Sequence, residues 1–332
     1  MSEESKQDPW SGIRISEIRS GASGDRVIIA HSRRKKPSLQ KKEQSCIFCP
    51  ENRQSLAESY FQGTLHGEME KRGLYIIDNK FPVVSYPELS RDLILPGGGP
   101  TFDRIPATGR HLLMIETPNH NLNPFSDSAE TRDYYGNLIW GYRKMMQSLR
   151  DDGYEWGGLG KNRNGVNNDG SVALAGASQS HPHSQAIATG ILPTWLEDYL
   201  SLRNRFTANE EKDRAGKLKL AGCPGCLVAE ARRYESLRIA ADDMHVSFVS
   251  NTPDVNPWHV KIRILPYEHK SRFDEISEEE AESLAAVLHQ TMKALGRKYP
   301  NCGYNFELRQ GPWKLPEHYG RIGVNPNTYH WG

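Results

Sequence analysis

The chain has 332 residues with 42 Lys and Arg against 41 Asp and Glu, so its net charge of +1 draws neither nucleic acid nor a membrane surface. No apolar run approaches the ~18 residues of a transmembrane helix, and the polar start MSEESKQDPWSG lacks a signal-peptide pattern, which makes a cytoplasmic location the expectation. Five cysteines fall as Cys46-x-x-Cys49, Cys223-x-x-Cys226 and a lone Cys302, a usage that reads as metal binding rather than structural disulfides.

In chain order, a basic run from Arg33 to Lys36 precedes Cys46-Ile-Phe-Cys49-Pro50. An alternating apolar strand, His111 to Glu116, ends in Pro118-Asn119-His120. The next element is an amphipathic helix over 129–150, with Leu138, Ile139, Tyr142, Met145, Met146 and Leu149 at helical spacing. Small residues Gly176-Ala177-Ser178 then lead to His181-Pro182-His183-Ser184-Gln185. If that stretch is extended, positions 181, 183 and 185 share one face.

The second half repeats this order. Cys223-Pro-Gly-Cys226 comes first, then a strand over 258–265 ending at Pro266-Tyr267-Glu268-His269. Ser277-Glu278-Glu279-Glu280 forms a capping box opening a helix that carries Leu284, Val287, Leu288, Thr291, Met292 and Leu295. A strand over 304–308 leads to Tyr329-His330-Trp331-Gly332. His181 follows His120 by 61 positions, and His330 follows His269 by the same 61. The repeat divides the chain into halves at 1–202 and 220–332, joined by a charged linker over 203–219. The fold class expected is α+β: two similar halves, each an antiparallel sheet with a long helix packed on it, the sheets forming one continuous layer.

Each half offers two thiolates and two imidazoles, the Cys₂His₂ set of structural zinc. Cys46, Cys49, His120 and His181 would form the first site; Cys223, Cys226, His269 and His330 the second. With His181 held by zinc, His183 remains free along the same strand face, a competent nucleophile near neutral pH. Gln185 and Ser178 are neutral donors for phosphate oxygens, and Arg33 and Lys36 could supply charge. A bland reading of two lone surface histidines is outweighed by their recurrence in order. A zinc-stabilised binding module without catalysis is the reading from outside enzymes.

These residues resemble the galactose-1-phosphate uridylyltransferase family of the histidine-triad superfamily, which includes ADP-glucose phosphorylase. The resemblance rests on Arg33 to Pro37, Cys46-Ile-Phe-Cys49-Pro50, Asn79-Lys80-Phe81-Pro82, Glu116-Thr117-Pro118-Asn119-His120, Gly176-Ala-Ser-x-x-His181-Pro-His-x-Gln185 and the terminal His-Trp, and spans about residues 12–332. It implies duplicated histidine-triad-like halves and a double displacement. His183 would attack the α-phosphorus of a nucleotide sugar, expel sugar 1-phosphate and become a nucleotidyl-histidine. A second sugar 1-phosphate would then take the nucleotide, as when UMP passes from UDP-glucose to galactose 1-phosphate in galactose metabolism. A phosphorylase would use phosphate as acceptor instead. His181 would be a zinc ligand whose carbonyl orients the nucleophilic ring. Ser178, Gln185 and Asn164 match phosphate contacts, Arg33 and Lys36 phosphate-binding cations, and Asn79 and Phe81 a base- and ribose-side segment. The partners implied are a nucleotide sugar, a sugar 1-phosphate and a second copy in a homodimer.

Three departures accompany the resemblance. The insertion Val166 to Leu174 leaves open which asparagine near Asn164 contacts phosphate. Gly332 stands where a second nucleophile would, so the second half is expected to be catalytically degenerate. The family's terminal tail is expected to be lacking after Gly332.

Overall fold

In a computed structural model, described for residues 16–20, 26–30, 46–84, 104–167, 169–204, 210–212, 218–220, 223–232, 236–250, 260–315 and 326–332, the expected helices and strands form. The first-half elements are β1 (Ser16–Ser20), β2 (Arg26–Ala30), α1 (Gly63–Lys71), β3 (Tyr75–Asp78), β4 (Arg104–Pro106), β5 (Gly109–Ile115), α2 (Ala129–Asp151), β6 (Trp156–Arg163), β7 (Gly165–Val166), β8 (Val172–Ala173), β9 (His183–Thr189) and α3 (Thr194–Asn204). The rest are β10 (Glu210–Lys212), β11 (Leu218–Leu220), α4 (Pro224–Arg232), β12 (Arg238–Ala241), β13 (His245–Val249), β14 (Ile262–Pro266), α5 (Glu278–Lys298) and β15 (Tyr304–Leu308). Among the described residues no helix is long and apolar enough to cross a membrane. The 203–219 stretch begins inside α3 and carries the paired β10 and β11; its remaining residues lie outside the described ones.

The central sheet runs β15-β6-β9-β5-β3, every pair antiparallel, so a second-half strand extends the first-half sheet. Helix α2 packs on it over β6 and β9, and α5 packs on α2 and on β12 and β13 of a second sheet. Helix α2 is capped by Ser128, whose hydroxyl accepts from the Thr131 N–H, and it buries the six residues that the spacing picks out. Helix α5 starts from the expected capping box, Ser277 and Glu280 satisfying each other's backbone N–H groups. Leu112, Met114, Leu159, Ala186 and Ala188 from the strands join Tyr142, Met145, Leu284, Leu288 and Trp331 in one buried cluster, so the core is shared by both halves.

The expectation of one continuous layer needs correction. Strands β12, β13 and β14 form a separate sheet, and no ladder joins β14 to β15 among the described residues. A cavity of about 640 Å³ opens between those two strands, walled by Tyr134, Leu138, Leu288 and Met292 of the helices. Gly332 exchanges two backbone hydrogen bonds of 3.0 Å with Arg309 at its edge. The repeat places Gly332 at the level of His183, the first residue of β9, and β9 is the strand that fills the corresponding position between β5 and β6.

Beneath β9, the fold buries a charge pair that apolar patterning does not show. Lys161 of β6 donates to the Glu116 carboxylate, and the Tyr134 and Tyr142 hydroxyls donate to the same carboxylate at 2.6 and 3.3 Å. Burial lowers the Lys161 pKa, opposed by the adjacent Glu116 charge, and raises both tyrosines well above their usual range. Lys161→Met would leave Glu116 without its cation in a dry site, at an expected cost of ~3–5 kcal/mol. Urea denaturation checks this, and Lys161→Met with Glu116→Leu should recover part of the loss.

Candidate nucleotidyl-transfer site and paired metal clusters

Each half assembles its predicted four ligands. In the first, Cys49 Sγ lies 3.5 Å from His120 Nδ1 and 3.6 Å from His181 Nδ1, and Cys46 Sγ lies 3.7 Å from His181 Nδ1. In the second, Cys226 Sγ lies 3.3 Å from His269 Nδ1 and 3.4 Å from His330 Nδ1, and Cys223 Sγ 3.8 Å from His330 Nδ1. The four donor atoms of each set lie within 4.8 Å of one another. A tetrahedral zinc with bonds of ~2.3 Å to sulfur and ~2.05 Å to nitrogen would hold S and N about 3.6 Å apart, so both sets fit that ion.

The outer contacts repeat as well. His181 donates Nε2–H to the Thr117 carbonyl at 2.8 Å, and His330 donates to the Pro266 carbonyl at 3.0 Å, at the corresponding point of the repeat. His269 donates to the Asn327 carbonyl at 2.8 Å, whereas His120 meets the Ser180 hydroxyl at 3.0 Å. A carbonyl can only accept, so Nδ1 of His181, His269 and His330 is left as the lone pair facing the sulfurs, the tautomer that metal ligation needs. Burial and the neighbouring Cys46 push the Cys49 thiol up to about 11, so a cation is needed to hold it as a thiolate at neutral pH.

The two CxxC turns differ at both middle positions, Ile47 against Pro224 and Phe48 against Gly225, and the second difference falls beside the histidines. Phe48 is buried and presents itself edge-on to His183, ring centroids 5.5 Å apart. Its second-half counterpart is Gly225, where a Cβ would meet the His330 ring at 2.6 Å. An aromatic wall stands beside the His183 imidazole in one half, while the other half packs backbone directly on the His330 ring.

His183 opens β9 opposite Ile115 of β5. The strand begins there rather than at 181, but the Pro182 carbonyl still accepts the Glu116 N–H at 3.2 Å, which keeps the stretch extended. His183 donates Nδ1–H to the His181 carbonyl at 2.9 Å, as the resemblance implies. In the neutral ring Nε2 therefore carries the lone pair, on an imidazole only 5% exposed.

Strand register decides what shares that face. Gln185 pairs with Gly160, so Asn162, two residues further along β6, stands on the same face; its side chain is exposed. Asn164 is engaged elsewhere. Its Oδ1 accepts the N–H of Ala175 at 2.8 Å and of Ala177 at 3.2 Å, and its Nδ2 donates to the Ala177 carbonyl at 2.9 Å. That clamp holds the turn at Gly176, whose φ of +91° favours glycine, and Ser178 follows it half-buried. Asn79 and Gln185 are brought together, Asn79 Nδ2 lying 3.5 Å from Gln185 Oε1, and the Phe81 N–H donates to Asn79 Oδ1 at 2.9 Å. Arg33 and Lys36 lie outside the described residues.

Sequence reasoning left Asn162 and Asn164 as alternatives and missed Phe48 and a further histidine. His111, read as the first residue of a strand, is 1% exposed and has its Nε2 2.9 Å from Gln185 Oε1. No period or spacing marks it; only the β5–β9 register sets it beside the motif.

A Cys₂His₂ cluster recurs in each half, and the His183 imidazole stands beside the first. No family model matches the chain. It is 26% identical over 304 residues to ADP-glucose phosphorylase of Arabidopsis thaliana, over 88% of this chain and 77% of that protein. To galactose-1-phosphate uridylyltransferase of Haemophilus influenzae it is 26% identical over 275 residues, 80% of this chain and 64% of that enzyme. The chain thus spans just under two thirds of the length of the Haemophilus relative. A solved uridylyltransferase superposes with a TM-score of 0.63 at 21% identity, over 95% of this chain and 84% of that one. Arabidopsis ADP-glucose phosphorylase with bound ADP-glucose gives 0.59 at 22%, over 93% and 84%. In sequence and fold alike the chain resembles the galactose-1-phosphate uridylyltransferase family and its ADP-glucose phosphorylase branch.

Proposed function

We propose that this protein transfers a nucleotidyl group from a nucleotide sugar through a covalent nucleotidyl-histidine at His183. The observation that carries this reading is the Nδ1–H bond from His183 to the His181 carbonyl, which fixes Nε2 as the lone pair on the face that Gln185 and Asn162 share. Nε2 attacks the α-phosphorus; the P–N bond forms as the bond to the departing sugar 1-phosphate oxygen breaks, and the sugar 1-phosphate leaves with that electron pair. The ring then carries a positive charge shared with Nδ1–H, which the His181 carbonyl stabilises. An acceptor phosphate oxygen displaces the nitrogen and returns its lone pair. Zinc in the closed four-ligand clusters would hold the ends of the strands and supply no reaction step.

The acceptor defines two forms of this function. UMP passing from UDP-glucose to galactose 1-phosphate is the first. Inorganic phosphate as acceptor, giving an ADP-glucose phosphorylase, is the second, and matches at 26% identity to an enzyme of each kind support the two equally. Enzyme labelled from the α-phosphate of UDP-glucose or ADP-glucose is freed of nucleotide and offered galactose 1-phosphate, glucose 1-phosphate or phosphate. Discharge by a hexose 1-phosphate to a new nucleotide sugar assigns the transferase form, and discharge by phosphate to nucleoside diphosphate the phosphorylase. A protein that takes no label from either donor is not an enzyme of this kind, and a zinc-stabilised binding module becomes the better description.

A further inference from the structure

We infer that His111 is a positioning residue that fixes the side-chain amide of Gln185, so that its NH₂ group is presented to the substrate phosphate; this rests on the function proposed above. The assignment follows from hydrogen-bond directions alone. The Val83 backbone N–H lies 3.0 Å from His111 Nδ1 and can only donate, so Nδ1 is the lone pair. In the neutral ring the proton therefore sits on Nε2, 2.9 Å from the Gln185 carboxamide oxygen. The Phe81 N–H binds Asn79 Oδ1 at 2.9 Å, which turns Asn79 Nδ2 into the same corner, 3.5 Å from Gln185 Oε1; its 3.1 Å approach to the protonated His111 Nε2 sets two donors side by side, so the Gln185 oxygen is the acceptor for both. Two donors therefore converge on Gln185 Oε1. A carboxamide with its oxygen so held must direct its two N–H groups the other way.

The geometry adds a physical link. Gln185 sits on β9 two residues from His183, whereas Asn79, Phe81 and Val83 belong to the segment after β3. His111, on β5 between them, ties that segment to the motif strand by one ring with two engaged nitrogens. It is buried and contributes nothing to the apolar face of β5, where Leu112 and Met114 meet the helices. A flipped Gln185 would turn a carbonyl oxygen toward a phosphate oxygen and replace attraction by repulsion.

The test measures the rate at which α-phosphate-labelled nucleotide sugar modifies the intact protein, with zinc content and thermal unfolding as controls on folding. Gln185→Ala should slow labelling ~10²-fold, the usual cost of one lost donor to developing charge. His111→Phe should slow it ~10-fold or more at saturating donor, and His111→Gln, which keeps an N–H to offer, should regain part of that. In the double variant His111→Phe should have no further effect, because the amide it positions is gone. Multiplying losses overturn the inference, as does full activity in His111→Phe. A wild-type protein that takes no label overturns the proposed function instead. In that case ¹⁵N resonances of the histidine rings still decide on His111: a neutral ring protonated on Nε2 is expected, and one protonated on Nδ1 or on both nitrogens refutes it.

Discussion

His183→Ala protein mixed with α-phosphate-labelled UDP-glucose or ADP-glucose should carry no acid-labile label, and turnover should fall at least ~10⁴-fold. The size of the effect follows from the arrangement. In the proposed reaction the imidazole is the group to which the phosphorus becomes bonded, so its removal would eliminate the covalent intermediate and leave only substrate binding by the neighbouring amides. Neither histidine beside it is placed to take over. His181 has Nδ1 toward Cys46 and Cys49 and Nε2 on the Thr117 carbonyl, so both of its nitrogens are engaged. His111 has both nitrogens in hydrogen bonds to Val83 and Gln185. The second half offers only Gly332 at the matching place. Label retained by His183→Ala, or attached to another residue, would remove His183 from its assigned role. Because the bulk removed is small and the backbone of β9 is unchanged, zinc content and unfolding temperature should stay near those of the wild type. A collapse in either would mean that the lost activity reports folding.

How much of this was legible beforehand depended on the kind of pattern. The long helices were, because Leu138, Tyr142, Met145 and Leu149 recur at the helical period, and because a capping box sets the start of α5 in four residues. Both metal clusters were, since the order of Cys-x-x-Cys and two histidines repeats across the halves and each set converges in space. What could not be read were contacts created by strand register. Asn162 gains its place on the His183 face only because β6 pairs with β9, and Asn164, two residues on, is drawn into the turn at Ala175 and Ala177. Both lie in one polar stretch whose strand end no periodicity announces. The Lys161–Glu116 pair was hidden for a related reason: a lysine between a glycine and an asparagine reads as solvent-facing until α2 closes over it. The interrupted layer was misjudged because the halves were compared by order, and order does not say that β14 and β15 meet across a cavity.

Cys49→Ser and Cys226→Ser should each lower bound zinc from two equivalents to one, yet only the first should stop nucleotidyl transfer. The clusters are near-copies: the paired histidine rings stand 5.1 Å apart at 87° in one and 5.2 Å apart at 83° in the other. Their surroundings separate them. The first cluster fixes His181, and the His181 carbonyl is the acceptor that sets the His183 ring, so releasing the metal loosens the nucleophile. A displacement of ~1 Å at a reacting atom costs ~10² in rate, and labelling by Cys49→Ser should fall at least that far. The second cluster fixes His330 next to Trp331, which is 1% exposed within the shared core and packs edge-on against Phe273. Cys226→Ser should therefore act on stability, by more than ~3 kcal/mol out of the ~10–16 kcal/mol with which a four-ligand site holds zinc at neutral pH. Its labelling rate should stay within a few-fold of the wild type below its unfolding temperature. The first site should also respond to pH. With the metal-free Cys49 thiol pushed up to about 11, zinc must displace a proton to bind, so falling pH favours the metal-free form. Acid and chelator should then release metal together, first-cluster loss tracking loss of labelling. Equal effects of the two substitutions on labelling would mean that the His181 carbonyl does not carry the influence of the first cluster, and zinc-free protein with unchanged stability would remove metal from the account of the fold.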